Sequence, residues 1–300
     1  MAALVNILRI RNRYLQTPVR VYRNDAGRSV WLVGLVHHGQ RDYYRALKGL
    51  VLALQQAGAA VHYEDTAMSE QDLAAADVTD AERAAIDSAA PAVSQLELYQ
   101  PWGWVEQLDG FGGGAPAVGV RRSWPPGWER HDLREIDIIR LRGVVQVLAG
   151  PQTSDVPAPA GRPSKLARRV RLAQIAVEFW ALANGIRPPK PTDAVILDRR
   201  NDVAIEAART PSRAMSCLLW GCTHLGGLEA RLAARGYTLA EQSWHTVGRL
   251  PRAISIVCWS VVGLLANLRR LPLWAKAARA EHERTKPYQA AVRQELAKKD

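Results

Sequence analysis

The apolar positions of this chain alternate between short unbroken runs and helical repeats. Val30 to Val36 (VWLVGLV) is an apolar run rich in β-branched residues and predicts a buried strand. Asp42 to Gln56 then places Tyr44, Leu47, Leu50, Val51 and Leu54 at the spacing of one helix face, and Gly58 is positioned to stop that helix. Ala59 to Tyr63 reads as a second strand. Strand, helix and strand in this order predict a βαβ unit with parallel strands.

A related pattern occupies the later part of the chain. Lys165 to Asn184 fits a helix stopped by Gly185, and Pro188, Pro189 and Pro191 forbid another helix until about Thr192. Asp193 to Arg209 predicts that next helix, Ser216 to Gly221 a strand, and Leu225 to Arg235 a helix closed by Gly236. Tyr237 to Val247 contains a further strand, which gives a second βαβ-like unit. Residues 69–98 are Ala-rich and acidic with weak helical signals, and His131 to Leu148 returns to helical spacing. Residues 99–130, rich in Gly, Pro and Trp, read as a loop with a short strand at Ala117–Val120. The fold class expected is α/β: a central, mostly parallel sheet with flanking helices. It spans 30–248, with the Pro-rich stretch 151–164 as a loop inside it, a basic segment at 1–29 and a basic extension at 249–300.

That extension carries an apolar helix at 253–268 (AISIVCWSVVGLLANL), sixteen residues without a charge between Arg252 and Arg269. At about 24 Å it falls short of the roughly 20 residues that cross a bilayer. A buried core helix, an interfacial helix and a short transmembrane helix all remain open. The flanking arginines with Trp259 and Trp274 favour membrane contact, and the length favours core or interface.

Composition narrows the class. The 300 residues are 48% hydrophobic and 23% charged, which supports a large core and excludes a disordered chain. Cys217, Cys222 and Cys258 form neither a disulfide framework nor a CxxC pair, and the first residues lack the apolar core and cleavage site of a secretory signal. A cytoplasmic protein is expected. The net charge of +11 is uneven: 249–300 holds eleven Lys and Arg against four Asp and Glu, 1–23 holds five arginines and no acid, and Arg162 to Arg171 is a further cluster. Such ends suit an anionic surface, with peripheral attachment to the inner membrane as the expected partner, although a solvated helix face has the same signature. Nucleic acid ranks last, because no basic motif is interleaved with aromatics.

The chemistry gathers at predicted strand ends. Gly34-Leu35-Val36-His37 and Gly221-Cys222-Thr223-His224 are turns that follow apolar runs, and Glu64 ends the strand between them. Open α/β sheets bind ligands at the carboxyl ends of their strands. A lone strand-end histidine is ordinarily a hydrogen-bonded structural residue. Two at one edge beside a glutamate make a candidate metal or proton-transfer site. Glu64 is then a ligand or a general base, Arg200 a clamp for a carboxylate or phosphate, and Asn201 an orienting group, although DRRND is also an ordinary polar helix face. Cys222 reads as a small inert residue rather than a ligand, and His38 and His62 flank the site. GFGGG (110–114) lacks the Gly-Lys-Ser/Thr of a phosphate loop, and there is neither an HExxH nor a Gly-x-Ser-x-Gly.

In this order the motifs resemble the TraB/PrgY/GumN family, related to Tiki: Gly34-x-x-His37, Glu64 after the next strand, Arg200-Asn201 on a helix, and Gly221-x-x-His224-Leu225-x-Gly227. Trp128 to Leu133 (WERHDL) is similar to a Trp/Asp segment in the family's middle. The resemblance covers about residues 30–247. It implies an erythromycin-esterase/ChaN-like α/β fold and a shared site of His37, Glu64, Asn201 and His224. It also implies a divalent-metal-dependent hydrolase acting on a peptide or small amide or ester substrate, with zinc, manganese or cobalt as the ion. In that reading His37, His224 and Glu64 are the metal ligands, and Glu64, Arg200 and Asn201 the catalytic groups. The alternative is a non-catalytic peptide- or haem-binding protein at a membrane surface.

Overall fold

A computed structural model describes residues 7–66, 68, 70–80, 82–83, 86, 99, 102–112, 124–141, 175–177, 179–180, 183, 191–209 and 213–250. The expected loop 151–164, the strand at Ala117–Val120 and the helix at 253–268 lie outside these residues. The chain divides into two compact units, one of 1–67, 93–134 and 175–252, the other of 68–92, 135–174 and 253–300.

The first unit is built on strands β1 (Arg9–Arg11), β2 (Tyr14–Arg23), β3 (Ser29–Leu35), β4 (His38–Gln40), β5 (Ala60–Tyr63), β6 (Trp104–Glu106), β7 (Trp128–Arg130), β8 (Met215–Gly221) and β9 (Thr238–Arg249). Its described helices are α1 (Arg41–Gln56), the single turn α3 (Gln107–Gly110), α4 (Pro191–Ala208) and α5 (Leu225–Ala233). The main sheet is mixed. Four strands run parallel in the order β3-β8-β5-β7, while β1 and β9 both pair antiparallel to β2, which pairs antiparallel to β3. The expectation of a mostly parallel sheet therefore describes only the half that carries the candidate site. β4 and β6 form a separate antiparallel pair.

The two expected crossovers are present, with a difference. β3, α1 and β5 form one, with β8 inserted between its strands. β9 runs in the same direction as β8, as a βαβ unit requires, but β3 and β2 stand between them. β8 occupies the centre because Cys217 to Trp220 are apolar on both faces, all four fully buried. The segment 1–29, read as a basic tail, supplies two strands of this sheet. Pro18 argues against a strand there, since it cannot donate to a ladder. It sits in the gap between the stretch of β2 paired with β1 (Tyr14–Gln16) and the stretch paired with β3 (Val19–Arg23). Pro191, expected to precede its helix, is helical itself, as proline tolerates in a first turn.

Helix α1 buries Tyr43, Tyr44, Leu47, Val51 and Leu54 against the sheet. Its tyrosines also finish β3: the Tyr43 hydroxyl donates to the Gly34 carbonyl at 3.1 Å and that of Tyr44 to the Val36 carbonyl at 2.7 Å. On β2, Arg20 is 3% exposed and forms an ion pair with Glu229 of α5, 6% exposed, and a hydrogen bond to Gln242 of β9. One arginine of the basic N-terminal stretch is thus an internal tie between three elements.

In the second unit, α2 (Glu70–Ala75) places Leu73 in a small cluster with Met68, Ala76 and Ile136. Thr79 and Glu82 exchange backbone and side-chain hydrogen bonds as a capping box. Arg140 bonds Glu82 and, with Thr79, holds its carboxyl down at about 2.

Removing one partner of a buried ion pair leaves an uncompensated charge. Glu229→Gln is expected to cost about 3 kcal/mol in urea unfolding, and the double change Arg20→Met/Glu229→Leu to recover most of that loss. Equal stabilities for wild type and Glu229→Gln would show that the pair carries no such role.

Candidate functional site

The parallel half of the sheet delivers four side chains to one edge. Leu35 and Gly221 are register partners at the ends of β3 and β8, so His37 and His224 emerge beside one another. Glu64 follows Tyr63 at the end of β5, and Asp132 lies two residues beyond β7. Helix α4 covers one face of the sheet, where the Ser216 hydroxyl donates to the Ala208 carbonyl. Helix α1 covers the other, where the Trp128 indole donates to Gln55. Register puts His62 beside Leu218 and Val61 beside Cys217 and Trp128, so His62 is on the α4 face. Glu64, two residues on, points the same way and meets Arg200 of α4.

Arg200 is the centre of the ionic network. Its Nε donates to Asp132 Oδ1 at 2.8 Å, its Nη2 donates to Asp132 Oδ2 at 2.5 Å, and the same Nη2 lies 3.2 Å from Glu64 Oε1. The Asp132 side chain is fully buried and those of Arg200 and Glu64 are 14% and 13% exposed. Burial lowers the guanidinium, but the two carboxylates more than reverse this, so Arg200 stays charged. Burial pushes the Asp132 carboxyl up more than Arg200 pulls it down. Burial also pushes Glu64 up, but His224, Arg200, the Gly221 N–H and His37 together pull it below the ordinary carboxylate range. The Gly221 N–H donates to Glu64 Oε2.

His224 is 1% exposed. Its Nδ1 is 2.8 Å from Asn201 Oδ1, and its Nε2 faces Glu64 Oε2 at 3.8 Å. With Asn201 accepting, Nδ1 carries the proton and Nε2 presents its lone pair to the glutamate. Burial lowers this imidazole to about 4, with Glu64 acting in the opposite direction. Asn201 is 3% exposed, so its contact is with the histidine and not with an incoming molecule. Arg200, held by two carboxylates, likewise orients Glu64.

The glycines of the second histidine turn have separate tasks. A Cβ at Gly221 would press on Glu64 Oε2 at 3.2 Å, and one at Gly227 would overlap the Asn201 amide. A Cβ at Gly34 would meet Leu225 at 2.9 Å and Cys222 at 3.1 Å. Cys222 is buried with its thiol pushed well up by burial, an inert packing residue.

His37 is exposed, and its carbonyl accepts the Gln107 N–H at 2.8 Å. It borders a cavity of about 180 Å³ with Leu35, His38, Gly221 and Thr223. His38 is 7% exposed, stacks on Tyr99 at 4.2 Å and is lowered to about 4 by burial and by His37.

Among the described residues, the donors gathered within 4.8 Å of one another, closely enough to hold a metal ion, are those of His62, Glu129 and His131. The set His37, Glu64 and His224 does not close to that distance: the Glu64–His224 pair does, at 3.8 Å, and His37 stands outside it. Sequence reasoning placed Glu64, Arg200, Asn201 and His224, all joined here, and missed Asp132 as a site residue. Its signal was the WERHDL segment, which carries Asp132 two residues beyond the short strand β7. No described helix is long and apolar enough to cross a membrane.

Two predictions follow from burial and close approach. His38, His62 and His224 are each lowered from 6.5 to about 4, chiefly by burial. As pH falls below about 6.5 the unfolded histidines bind protons that the folded ones refuse until about pH 4, so stability is complete above this window and is lost through it. The loss approaches about 1.4 kcal/mol per pH unit for each histidine. A urea midpoint that stays level from pH 6.5 to 4 would refute these neutral buried states. Gly227→Ala is expected to cost about 1–3 kcal/mol by overpacking and to shift the His224 ring resonances; unchanged resonances would place the strain elsewhere.

In comparison with known proteins, no protein-family model, no curated protein and no solved structure matches the chain.

Proposed function

We propose that this chain is a divalent-metal-dependent hydrolase of a peptide or amide bond, of the TraB/GumN (Tiki-like) type. The observation that carries the reading is the strand-end network of Glu64, Arg200, Asp132, Asn201 and His224. Its protonation states suit ligands better than proton carriers. Glu64 is an anion with a lowered pKa, hence a weak base, and His224 is neutral with one nitrogen tied to Asn201 and the other free. A metal ligand needs a deprotonated donor whose far side is fixed by a hydrogen bond.

Glu64 and His224, 3.8 Å apart, would hold the ion, with His37, which stands outside that pair, as a further donor from the first histidine turn. When bound it would supply a Lewis acid and lower the pKa of a coordinated water. The chain's own groups do the positioning. Arg200, fixed by both oxygens of Asp132, sets the rotamer of Glu64 and offsets its charge. Asn201 sets the His224 tautomer. Gly221 admits the carboxylate to its backbone N–H. His37, exposed and bordering the cavity beside Gly221 and Thr223, is the group of this set that an incoming substrate would meet. The borderline N and O donors suit zinc, manganese or cobalt.

Elemental analysis of the purified chain beside His37→Ala and Glu64→Gln provides the test. One equivalent of metal per chain is expected to be lost in each variant, and hydrolysis of a mixed peptide library to fall at least about 100-fold. Equal metal content in wild type and both variants would overturn the assignment and leave a binding protein as the better reading.

A further inference from the structure

His62 is an anomaly of the sheet interior. It is 1% exposed, and among the described residues neither ring nitrogen has a hydrogen-bond partner. Buried imidazoles are ordinarily bonded at one nitrogen at least, because the desolvated polar atom is otherwise uncompensated. His224 meets that requirement through Asn201; His62 does not.

What surrounds His62 is donor chemistry. Its register partner on β7 is Glu129, and His131, two residues further along, falls on the same face as Glu129. His62 Nδ1 lies 3.6 Å from Glu129 Oε2, and His131 Nε2 lies 3.2 Å from the same oxygen. The rings of His62 and His131 meet edge to face at 4.6 Å. A tetrahedral ion with bonds of about 2.0–2.1 Å holds its donors about 3.4 Å apart. The two measured separations straddle that value, and all three donors fall within 4.8 Å of one another.

We propose that His62, Glu129 and His131 form a site for a zinc-type divalent cation that ties β7 to β5. Two imidazole nitrogens and one carboxylate oxygen are the donors of three-ligand zinc sites, with the fourth position left to water. The solvent side is open here, since the Glu129 and His131 side chains are 64% and 36% exposed. β7 ends the described order of the sheet and is only three residues long. A metal clip would hold this short strand in register, and with it Asp132, the residue after His131, which fixes Arg200.

The test is calorimetric titration of the full chain with zinc alone, with thermal unfolding read alongside. His131→Ala and Glu129→Gln both alter exposed side chains, so neither depends on disturbing the core. Each is expected to weaken one zinc site at least about 10-fold and to lower the zinc-induced rise in thermal midpoint, while His37→Ala leaves that site filled and acts only on a second equivalent of metal. Zinc binding of unchanged stoichiometry and affinity in both variants, or no zinc binding by wild type, overturns the proposal. Loss of zinc with His37→Ala and none with His131→Ala also overturns it, and spares the strand-end hydrolase site. The converse pattern sustains this site and removes the other.

Discussion

A single buried guanidinium organises the carboxyl edge of the sheet. Arg200 is donated by α4, and its two carboxylate partners come from the ends of β5 and β7. Two acids brought this close repel and would take up a proton in a low-dielectric site. The cation between them lets Glu64 remain charged, while Asp132, deeper and fully buried, is drawn the other way by its own desolvation. The geometry is also directional. The planar fork meets Asp132 with two parallel hydrogen bonds and leaves one N–H for Glu64, an arrangement that a lysine could not reproduce.

This network needs backbone to approach side chain at contact distance, which is why the second histidine turn is punctuated by glycine. Gly221 opens its N–H to Glu64, and Gly227, one turn into α5, vacates the space that Asn201 fills beneath His224. The turn motif is therefore a set of clearances around two named side chains. The glutamate is reached from one strand, the asparagine from a helix, and the histidine lies between them.

Local pattern was enough to place β3, α1, β5, β8 and α5, because each has a continuous apolar run or face bounded by a glycine or a charged stretch. It was also enough to align His37, Glu64 and His224 on one edge, since parallel crossovers fix which strand ends coincide. What escaped was non-local. β2 carries a proline and two arginines, and reads as a strand only once it is known that Arg20 meets Glu229 and Gln242 more than 200 positions away. β7 is too short to display a period. Asp132 acquires its role solely through the parallel pairing of β7 with β5, and its partner Arg200 is 68 residues distant. Net charge is blind for the same reason: counting arginines at 1–23 cannot distinguish a surface patch from an internal ion pair such as that of Arg20 with Glu229.

The two histidine–carboxylate groups differ in how their imidazoles are satisfied, and that difference has a physical reading. Both draw on the same two strands with the spacing of a pleat: His62 lies on β5 with Glu64 just past its end, and Glu129 lies on β7 with His131 and Asp132 just past its end. At the strand end the side chains of the network are answered by protein, with Asn201 on His224 Nδ1, the Gly221 N–H on one oxygen of Glu64, and Arg200 on the other and on Asp132. One residue pair further in, the sheet holds an imidazole with both nitrogens unanswered among the described residues. A fold that supplies an asparagine, a glycine clearance and an arginine to satisfy one set of groups has the means to satisfy another. An unanswered lone pair facing a carboxylate and a second imidazole is the state expected of a donor whose partner is an ion rather than a side chain.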